Sequence, residues 1–320
     1  MDTSIDSRLS ALHAWLSGLF HETTAFTITP LTGDASFRRY FRVIIAKKTF
    51  IVMDAPPEKE DCTAFIAIAD AFKNASARFP HIISHDLNQG FLLLPDFGDR
   101  QLLPSLENNA ADKLYQSAMT TLSQIQQCSI VPNYNLPCFN AVLYWREFEI
   151  FDTWYIKKRL GKQLSNVNEK KLKSCYQLLI DSANAQPQVF VHRDYHSRNI
   201  MVCDDGELGV LDFQDAVLGP ITYDLVSLLR DCYIAWPDDQ VEKWVRLFYQ
   251  QLNLSLDFKI FMRWFDLMGL QRHLKCLGIF SRLYYRDGKE AYLKEIPRVL
   301  NYVMTVCNKY PELQLMITLL

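Results

Sequence analysis

The sequence predicts an α+β fold, with a small β-rich N-terminal part and a mainly helical C-terminal part. Three observations lead to this class. Short apolar runs with strand-like composition, separated by turn residues, fill residues 26–53. Apolar residues with the spacing of one helix face dominate from residue 106 onward. Within the helical part, residues 200–211 form two short apolar runs around an Asp-Gly pair, which is typical of a β-hairpin.

The composition favours a globular protein without nucleic-acid or membrane partners. The 320 residues are 49% hydrophobic, and 34 Lys and Arg against 36 Asp and Glu give a net charge of −2. This balance lacks the basic surplus of nucleic-acid-binding proteins, and no apolar run reaches the about 18 residues of a membrane span. The eight cysteines show no Cys-x-x-Cys spacing, and the N-terminus shows no signal-peptide pattern. We therefore expect a cytoplasmic monomer with free thiols.

In the N-terminal part, helical spacing of apolar residues predicts helices over residues 7–20 and 61–79, the second stopped by Pro80. Between and after them, short apolar runs are bounded by turn residues such as Pro56-Pro57 and Asn88-Gln89-Gly90. These runs predict five strands, over residues 26–28, 40–45, 50–53, 82–83 and 91–94.

The C-terminal part is predicted to contain seven helices, because apolar and aromatic residues recur there at helical spacing between Pro and Gly boundaries. The aromatic stripe of the second helix is typical of a core face, and its acidic residues, Glu147 among them, are expected on a solvated face. The predicted helices span residues 110–127, 139–160, 168–185, 219–236, 242–252, 256–285 and 290–306.

The stretch from Val191 to Asp224 contains the candidate catalytic and metal-binding residues. A short apolar strand precedes the polar triplet that ends in Asp194, and Asn199 follows five residues later. The predicted hairpin places Asn199 at its entry and Asp212 at its exit, so the two side chains converge. Carboxylate and amide oxygens suit Mg²⁺, which is held by few protein ligands plus phosphate oxygens. A further carboxylate, that of Asp194, can orient a hydroxyl and accept its proton.

The order His-x-Asp-x-x-x-x-Asn, hairpin, Asp-Phe resembles the catalytic and metal loops of kinases. Gln214-Asp215 stands where protein kinases have Gly, and no Ala-Pro-Glu segment follows. The pattern is instead similar to the aminoglycoside phosphotransferase and choline kinase family. That resemblance implies a protein-kinase-like two-lobed fold, with an N-lobe over residues 1–96 and a C-lobe over residues 97–320. It also implies ATP and Mg²⁺, Asp194 as catalytic base, and Asn199 and Asp212 as metal ligands.

The resemblance also indicates where a nucleotide would bind. Gly33 would lie in the loop that covers the phosphates, and Arg38 beside it would add a cation. The hinge that begins at Leu94 and contains Asp96 would hold adenine through its backbone. The lysine that kinases carry near the end of the third strand is missing from residues 50–54. We expect either that another cation, Arg38 or Lys48, replaces this lysine, or that fewer cations hold the ATP.

Residues 50–57, 210–237 and 266–289 are similar to a subgroup of bacterial sugar kinases in cell-wall recycling. These kinases act on the anomeric 1-hydroxyl of N-acetylmuramate and N-acetylglucosamine. The resemblance implies a small-molecule sugar as the acceptor and Asp224 as a brace for the catalytic loop. We expect Arg198 and Arg230 near the lactyl carboxylate of N-acetylmuramate. The candidates for the sugar cleft are His196, Arg198, Gln214, Asp215 and Arg230.

Other functions stay open at this point. An aminoglycoside kinase would need a strongly acidic cleft, and a choline or other amino-alcohol kinase an aromatic cage with acidic residues. A non-catalytic ATP-binding scaffold is favoured only by the missing strand lysine. Asp194, Asn199 and Asp212 argue against a scaffold, which needs none of them.

Overall fold

The computed structural model of the protein describes residues 7–20, 25–31, 37–73, 75–106, 110–128 and 130–320. The N-terminal sheet has five antiparallel strands: β1 (Phe26–Leu31), β2 (Arg39–Ile45), β3 (Lys48–Asp54), β4 (Ser84–Asp86) and β5 (Phe91–Pro95). Their order in the sheet is β1-β2-β3-β5-β4. Four of the five predicted strands overlap the observed ones, with bounds that shift by at most three residues, and β4 begins just after the predicted residues 82–83.

The sheet is apolar on both faces because successive side chains of β3 and β5 point in opposite directions. One face packs on helix α1 (Ser7–Phe20), whose Leu12 and Leu16 are fully buried against Val52 of β3. The other face contributes Met53 to the main core, together with helix α2 (Thr63–Ala71). The sheet is therefore held between a helix on its outer side and the rest of the protein on its inner side.

An ion-pair cluster fixes α1 to the end of β3. Asp54 is fully buried and accepts hydrogen bonds from Arg8 of α1 and from Arg39 of β2. Arg8 also donates to the carbonyl of Gln89, just before β5. A carboxylate buried this deeply requires such partners, because an unpaired buried charge is strongly unfavourable.

The C-terminal part is mainly helical, as predicted. Its helices are α3 (Leu102–Ser105), α4 (Ala111–Gln126), α5 (Ala141–Ile150), α6 (Asn166–Asn184), α7 (Tyr223–Leu229), α8 (Asp238–Gln251), α9 (Phe258–Asp287), α10 (Ile296–Lys309) and α11 (Gln314–Leu319). A π-helical segment, Phe151–Arg159, continues α5. Short 3₁₀ turns cover Glu290–Glu295 and Pro311–Leu313.

Two small sheets interrupt the helices. The predicted hairpin is confirmed: β7 (Ile200–Val202) pairs antiparallel with β8 (Leu208–Val210). Strand β6 (Gln188–Val191) pairs antiparallel with β9 (Val217–Pro220). The sequence predicted a helix from residue 219, so the β9 assignment corrects it. The segment is a strand because β6 needs a pairing partner, and the helix begins only at Tyr223.

Two predicted helices, one of them the helix predicted from residue 219, end earlier than expected. Helix α2 ends at Ala71 rather than at residue 79, and α7 ends at Leu229 rather than at residue 236. In both cases apolar side chains after the helix are buried from irregular backbone, Phe79 and Cys232 among them. Burial alone cannot distinguish a helix from a packed loop, so apolar spacing overestimates helix length here.

No helix in the described part of the chain has the length and apolar content needed to cross a membrane. Helix α9 is the longest, with 30 residues, and ends at Gly288 in the left-handed conformation. It packs along α5, α6, α7, α10 and the π-helical segment. Its middle portion is therefore buried on all sides, and polar residues there lie inside the protein.

Gly278 of α9 is the point of closest approach between α9 and the backbone of α5. A Cβ atom at this position would lie 2.7 Å from the carbonyl carbon and oxygen of Ile150. We predict that Gly278→Ala lowers the free energy of unfolding by about 1–3 kcal/mol, the usual cost of overpacking. Thermal or urea unfolding measures this change.

Gly18→Ala is the matched control, because no heavy atom lies within 4 Å of a Cβ built at Gly18 in α1. Alanine there should leave stability unchanged or raise it by at most about 1 kcal/mol, through its higher helix propensity. Equal stability of Gly278→Ala and wild type would show that the two helices separate freely at this contact.

Candidate active site

The loop between β6 and β7, residues 192–199, is held by a buried carboxylate. Asp224, in the first turn of α7, accepts hydrogen bonds from the backbone N–H groups of His192 at 2.6 Å and Arg193 at 3.0 Å. Arg193 has a φ of +74°, a conformation that costs free energy for a residue with a side chain. Burial raises the pKa of Asp224 to about 7, against the effect of the two backbone donors. The carboxylate thus stabilises a strained turn, the bracing role expected of it.

His192 connects this loop to the strand that ends before Asp212. Its Nε2 lies 2.9 Å from the carbonyl oxygen of Leu211, and its Nδ1 accepts from the Asp194 backbone N–H at 3.3 Å. Burial lowers the pKa of His192 to about 4, so the ring is neutral. A neutral ring with a proton on Nε2 satisfies both contacts. His192 therefore fixes the relative positions of Asp194 and Asp212.

A second carboxylate holds the other end of the loop. Asp231, just after α7, accepts hydrogen bonds from the backbone N–H of Ser197 at 2.9 Å and from its hydroxyl at 2.5 Å. Both residues are buried. Each half of the loop is thus tied to one end of α7, which gives Asp194 a rigid support.

Asp194, Asn199 and Asp212 lie together, as the hairpin argument predicted. Asn199 Nδ2 donates to the Asp194 carbonyl oxygen at 3.1 Å and lies 3.3 Å from Asp212 Oδ2. The other Asp212 oxygen accepts from Gln214 at 2.8 Å. Desolvation and the neighbouring Asp194 carboxylate raise the pKa of Asp212, although the Gln214 hydrogen bond opposes this. Asp212 also has a positive φ, of +64°, the kind of backbone strain that is common at functional sites.

This donor set fits a magnesium ion bound together with a nucleotide. With Nδ2 held by the Asp194 carbonyl, the amide oxygen of Asn199 is left to accept or coordinate. That oxygen and the Asp212 carboxylate are hard ligands. Among the described residues no group of three or more His, Cys, Asp or Glu side chains could hold a metal. Two protein ligands suffice for Mg²⁺ only where phosphate oxygens and water complete its coordination.

The surroundings of Asp194 keep it ionised. Burial raises its pKa, but Lys275, His196 and Arg272 outweigh that effect and lower it below the ordinary value. Lys275 and Arg272 are both on α9, one turn apart. A carboxylate in this field can accept a hydrogen bond from a hydroxyl group at neutral pH.

Glu147 of α5 organises these cations. It is 2% exposed and contacts Arg193 at 2.8 Å, Lys275 at 3.0 Å and Gln271 at 2.8 Å. The predicted solvated face was therefore wrong for Glu147, because helix α9 covers that side of α5. Lys275 also donates to the Tyr223 hydroxyl at 3.2 Å.

On the sheet side, Arg38 precedes β2 and forms an ion pair with Glu60 at 3.0 Å. Glu60 also accepts from the backbone N–H of Phe37, and it lies three residues before α2. Tyr40 lies within electrostatic reach of both Arg38 and Asp212, and burial raises its pKa to about 12. Arg38 and Asp212 therefore both lie near Tyr40. Gly33 lies outside the described residues.

The predicted hinge follows β5. Leu94 is buried in β5 opposite Ile51 of β3. The Asp96 carboxylate accepts from Arg42 at 2.6 Å and from the Gly98 backbone N–H at 2.9 Å. Its side chain is thus occupied within the protein, so only the backbone of this segment is available to an adenine ring. Lys48 begins β3 at the opposite end of that strand from Asp54 and is exposed.

The other sequence candidates divide into two groups. His196 packs edge-on against Tyr233 at 5.3 Å between ring centroids, and the Arg198 guanidinium lies over the same ring at 3.6 Å. Asp215 is exposed three residues beyond Asp212. Arg230 stands apart: it is 5% exposed and its guanidinium pairs with Asp266 of α9 at 2.8 Å. That pair occupies Arg230 within the protein, and its contact with a substrate stays a prediction.

Sequence reasoning missed Glu147, Asp231, Arg272 and Lys275. One signal was available for the two cations: near the middle of the long helical pattern of residues 256–285, polar residues are concentrated from Gln271 to Lys275. Polar residues in the middle of a helix that is apolar on every face are expected to be buried and paired. Nothing local in the sequence marks Glu147, since its partners are 46 to 128 residues away.

Comparisons with known proteins agree with this geometry. The profile of the phosphotransferase enzyme family matches residues 27–253. The chain is 41% identical to an N-acetylmuramate/N-acetylglucosamine kinase of Pseudomonas putida, over 96% of this chain and 94% of that protein. It is 38% identical to a kinase of the same description from Neisseria meningitidis, over 94% of this chain and 92% of the relative.

Solved structures show the same fold at low sequence identity. A choline kinase of Streptococcus pneumoniae superposes with a TM-score of 0.67 at 11% identity, covering 94% of this chain and all (100%) of that one. A structure described as a putative aminoglycoside phosphotransferase from Ralstonia eutropha gives a TM-score of 0.63 at 16% identity, covering 93% and 96%. The fold is thus that of protein-kinase-like phosphotransferases, and the chain belongs to the phosphotransferase enzyme family.

Proposed function

We propose that the protein transfers the γ-phosphoryl group of ATP to the anomeric 1-hydroxyl of N-acetylmuramate and N-acetylglucosamine, in cell-wall sugar recycling. The observation that carries this proposal is the 41% identity to the Pseudomonas putida kinase over nearly the whole chain. The cluster of Asp194, Asn199 and Asp212 supports it, because those residues supply a base and two hard oxygen ligands.

Asp194 is proposed as the catalytic base. The acceptor's O1 attacks the γ-phosphorus, the bond from that phosphorus to the β-γ bridging oxygen breaks, and ADP leaves. The proton from O1 passes to Asp194. A weak base is sufficient, since a hemiacetal hydroxyl is more acidic than an ordinary alcohol. In a loose phosphoryl-transfer transition state the bond to the nucleophile is only weakly formed, so the nucleophile needs little activation. Positioning by the braced loop then contributes much of the rate enhancement.

We propose that Asn199 and Asp212 hold Mg²⁺, which would neutralise charge on the nucleotide phosphates when bound. Arg38, together with the Gly33 loop, is proposed to contact those phosphates in place of the missing strand lysine. The Arg38–Glu60 ion pair supports this assignment, because protein kinases use a lysine–glutamate pair in the same task. The backbone between Leu94 and Asp96 would bind adenine.

These assignments imply a separate role for each of the two lobes. Residues 1–96 would form the lobe that covers the nucleotide, and residues 97–320 the lobe that holds the catalytic loop and the acceptor. We propose His196, Arg198, Gln214 and Asp215 as contacts of the acceptor sugar. The proximity of His196 to Asp194 supports its place in that group.

We predict that Asp194→Asn lowers kcat by about 10²–10⁴-fold, the usual loss on removing a general base. ATP affinity should change little, because Asp194 does not hold the nucleotide. Steady-state kinetics and ATP titration measure the two effects. Asp204→Asn, in the exposed turn of the hairpin, is the control and should behave as wild type. Near-normal kcat in Asp194→Asn would remove Asp194 from this role.

Asp212→Ala and Asn199→Ala should each raise the Mg²⁺ concentration needed for activity and for ATP binding, because each removes an oxygen ligand. Titration of Mg²⁺ at fixed ATP provides the measurement, with Asp204→Ala as the matched control. An unchanged Mg²⁺ requirement in Asp212→Ala would contradict its assignment as a ligand.

The reaction itself is tested by ADP release over N-acetylmuramate, N-acetylglucosamine, glucose, choline and kanamycin. We expect turnover with the two amino sugars and a product that is non-reducing and hydrolysed by mild acid, as a sugar 1-phosphate is. A 6-phosphate would be acid-stable and still reducing. An acid-stable product, or turnover only with choline or kanamycin, would overturn the anomeric-kinase proposal and leave the phosphotransferase family assignment in place.

A further inference from the structure

A buried guanidinium without a carboxylate partner lies close to Asp194. Arg272 of α9 is 4% exposed, and its Nη1 contacts only two sulfur atoms, Cys232 Sγ at 3.7 Å and Cys276 Sγ at 3.8 Å. In the part of the chain that the structure describes, no carboxylate forms an ion pair with it. Thiols are weak acceptors, and a buried arginine is ordinarily paired with a full negative charge. Arg272 is therefore only partly neutralised by the protein.

The other buried or half-buried cations of this region are paired. Arg193 and Lys275 both bind Glu147. Arg230 binds Asp266. Arg272 is the exception among these four side chains, although it and Arg230 are the most deeply buried of them. A buried arginine that lacks a carboxylate partner and interacts with Asp194 is a candidate group for binding a substrate.

Arg272 also borders the residues proposed for the acceptor. Cys232, which it contacts, is followed by Tyr233, and Tyr233 packs on His196. The Arg272 charge contributes to the lowered pKa of Asp194, so the two groups interact electrostatically. The Arg198 guanidinium is stacked on the same Tyr233 ring. Arg272 is therefore connected to His196 through the Cys232–Tyr233 segment.

Neighbouring buried polar groups also lack hydrogen-bond partners. The buried atoms His196 Nδ1 and Gln271 Oε1 have no hydrogen-bond partner among the described residues. Gln271 precedes Arg272 and uses its amide nitrogen to bind Glu147. Buried polar atoms without partners are rare in proteins, so a polar ligand would complete the hydrogen bonding of these two.

We propose that Arg272 binds the carboxylate of an acidic acceptor, the 3-O-lactyl group of N-acetylmuramate, and so determines the preference for acidic over neutral amino sugars. This inference rests on the proposed function. A guanidinium offers two parallel N–H donors that match a carboxylate, and their interaction is strong where water is excluded. Of the two arginines expected from the sequence to play this role, Arg230 is already paired with Asp266, and Arg272 replaces it.

The test compares kcat/KM for N-acetylmuramate and N-acetylglucosamine in wild type and Arg272→Gln. Loss of one partner of a desolvated charge pair should lower the ratio of the two values about 30-fold or more. Any general effect of the lost charge on Asp194 acts on both sugars and cancels in the ratio. Arg272→Lys keeps the charge without the paired donors, so its kcat/KM ratio should lie between those of wild type and Arg272→Gln. Arg263→Gln, on an exposed turn of the same helix, is the control.

A neutral substrate analogue gives a second, independent measurement on unmodified enzyme. Wild type should discriminate against the lactyl amide of N-acetylmuramate by a similar factor, and Arg272→Gln should lose that discrimination. Equal losses on both sugars in the variants, or equal turnover of acid and amide by wild type, would overturn the role of Arg272. Absence of turnover on every amino sugar by wild type would instead overturn the proposed function itself.

Discussion

The two hydrogen bonds that the Asp224 carboxylate accepts from the backbone N–H groups of His192 and Arg193 are the constraint on which the candidate active site depends. They hold Arg193 at a positive φ, which an isolated chain would rarely adopt. This turn directs Asp194 toward Asn199 and Asp212. It also directs the Arg193 guanidinium inward to Glu147. A single buried carboxylate thus fixes both the catalytic loop and the ion-pair cluster beneath it.

Helix α9 supplies the electrostatic environment of that loop. Buried charges would be costly in the core of this long helix, so the protein pairs Lys275 with Glu147 and Asp266 with Arg230. The remaining positive potential falls on Asp194 and keeps its carboxylate ionised despite burial. Stability and the proposed function are coupled here, because the charges that hold α5, α7 and α9 together also set the protonation state of Asp194, the proposed base.

The sequence predicted the fold class, the five strands and the convergence of Asn199 with Asp212, because these depend on local spacing and on a hairpin of eleven residues. It did not reveal the burial of Glu147, whose partners lie on the distant α9, or the pairing of Arg230 with Asp266. Such contacts depend on how helices pack, which local periodicity does not determine. Strand β9 was missed for the same reason, since it pairs with the distant β6 and bridges to Cys138.

The absence of a lysine from the third strand has a physical counterpart in the structure. Met53 occupies the inner face of β3 and packs in the main core, and Tyr40 stands opposite it on β2. Arg38 precedes β2, two residues before Tyr40, and its partner Glu60 comes from the segment leading into α2. We propose that this pair takes the place of the lysine–glutamate pair of protein kinases, with the cation before β2 instead of on β3. An arginine is longer than a lysine and presents two donors to phosphate oxygens, which suits this more distant position.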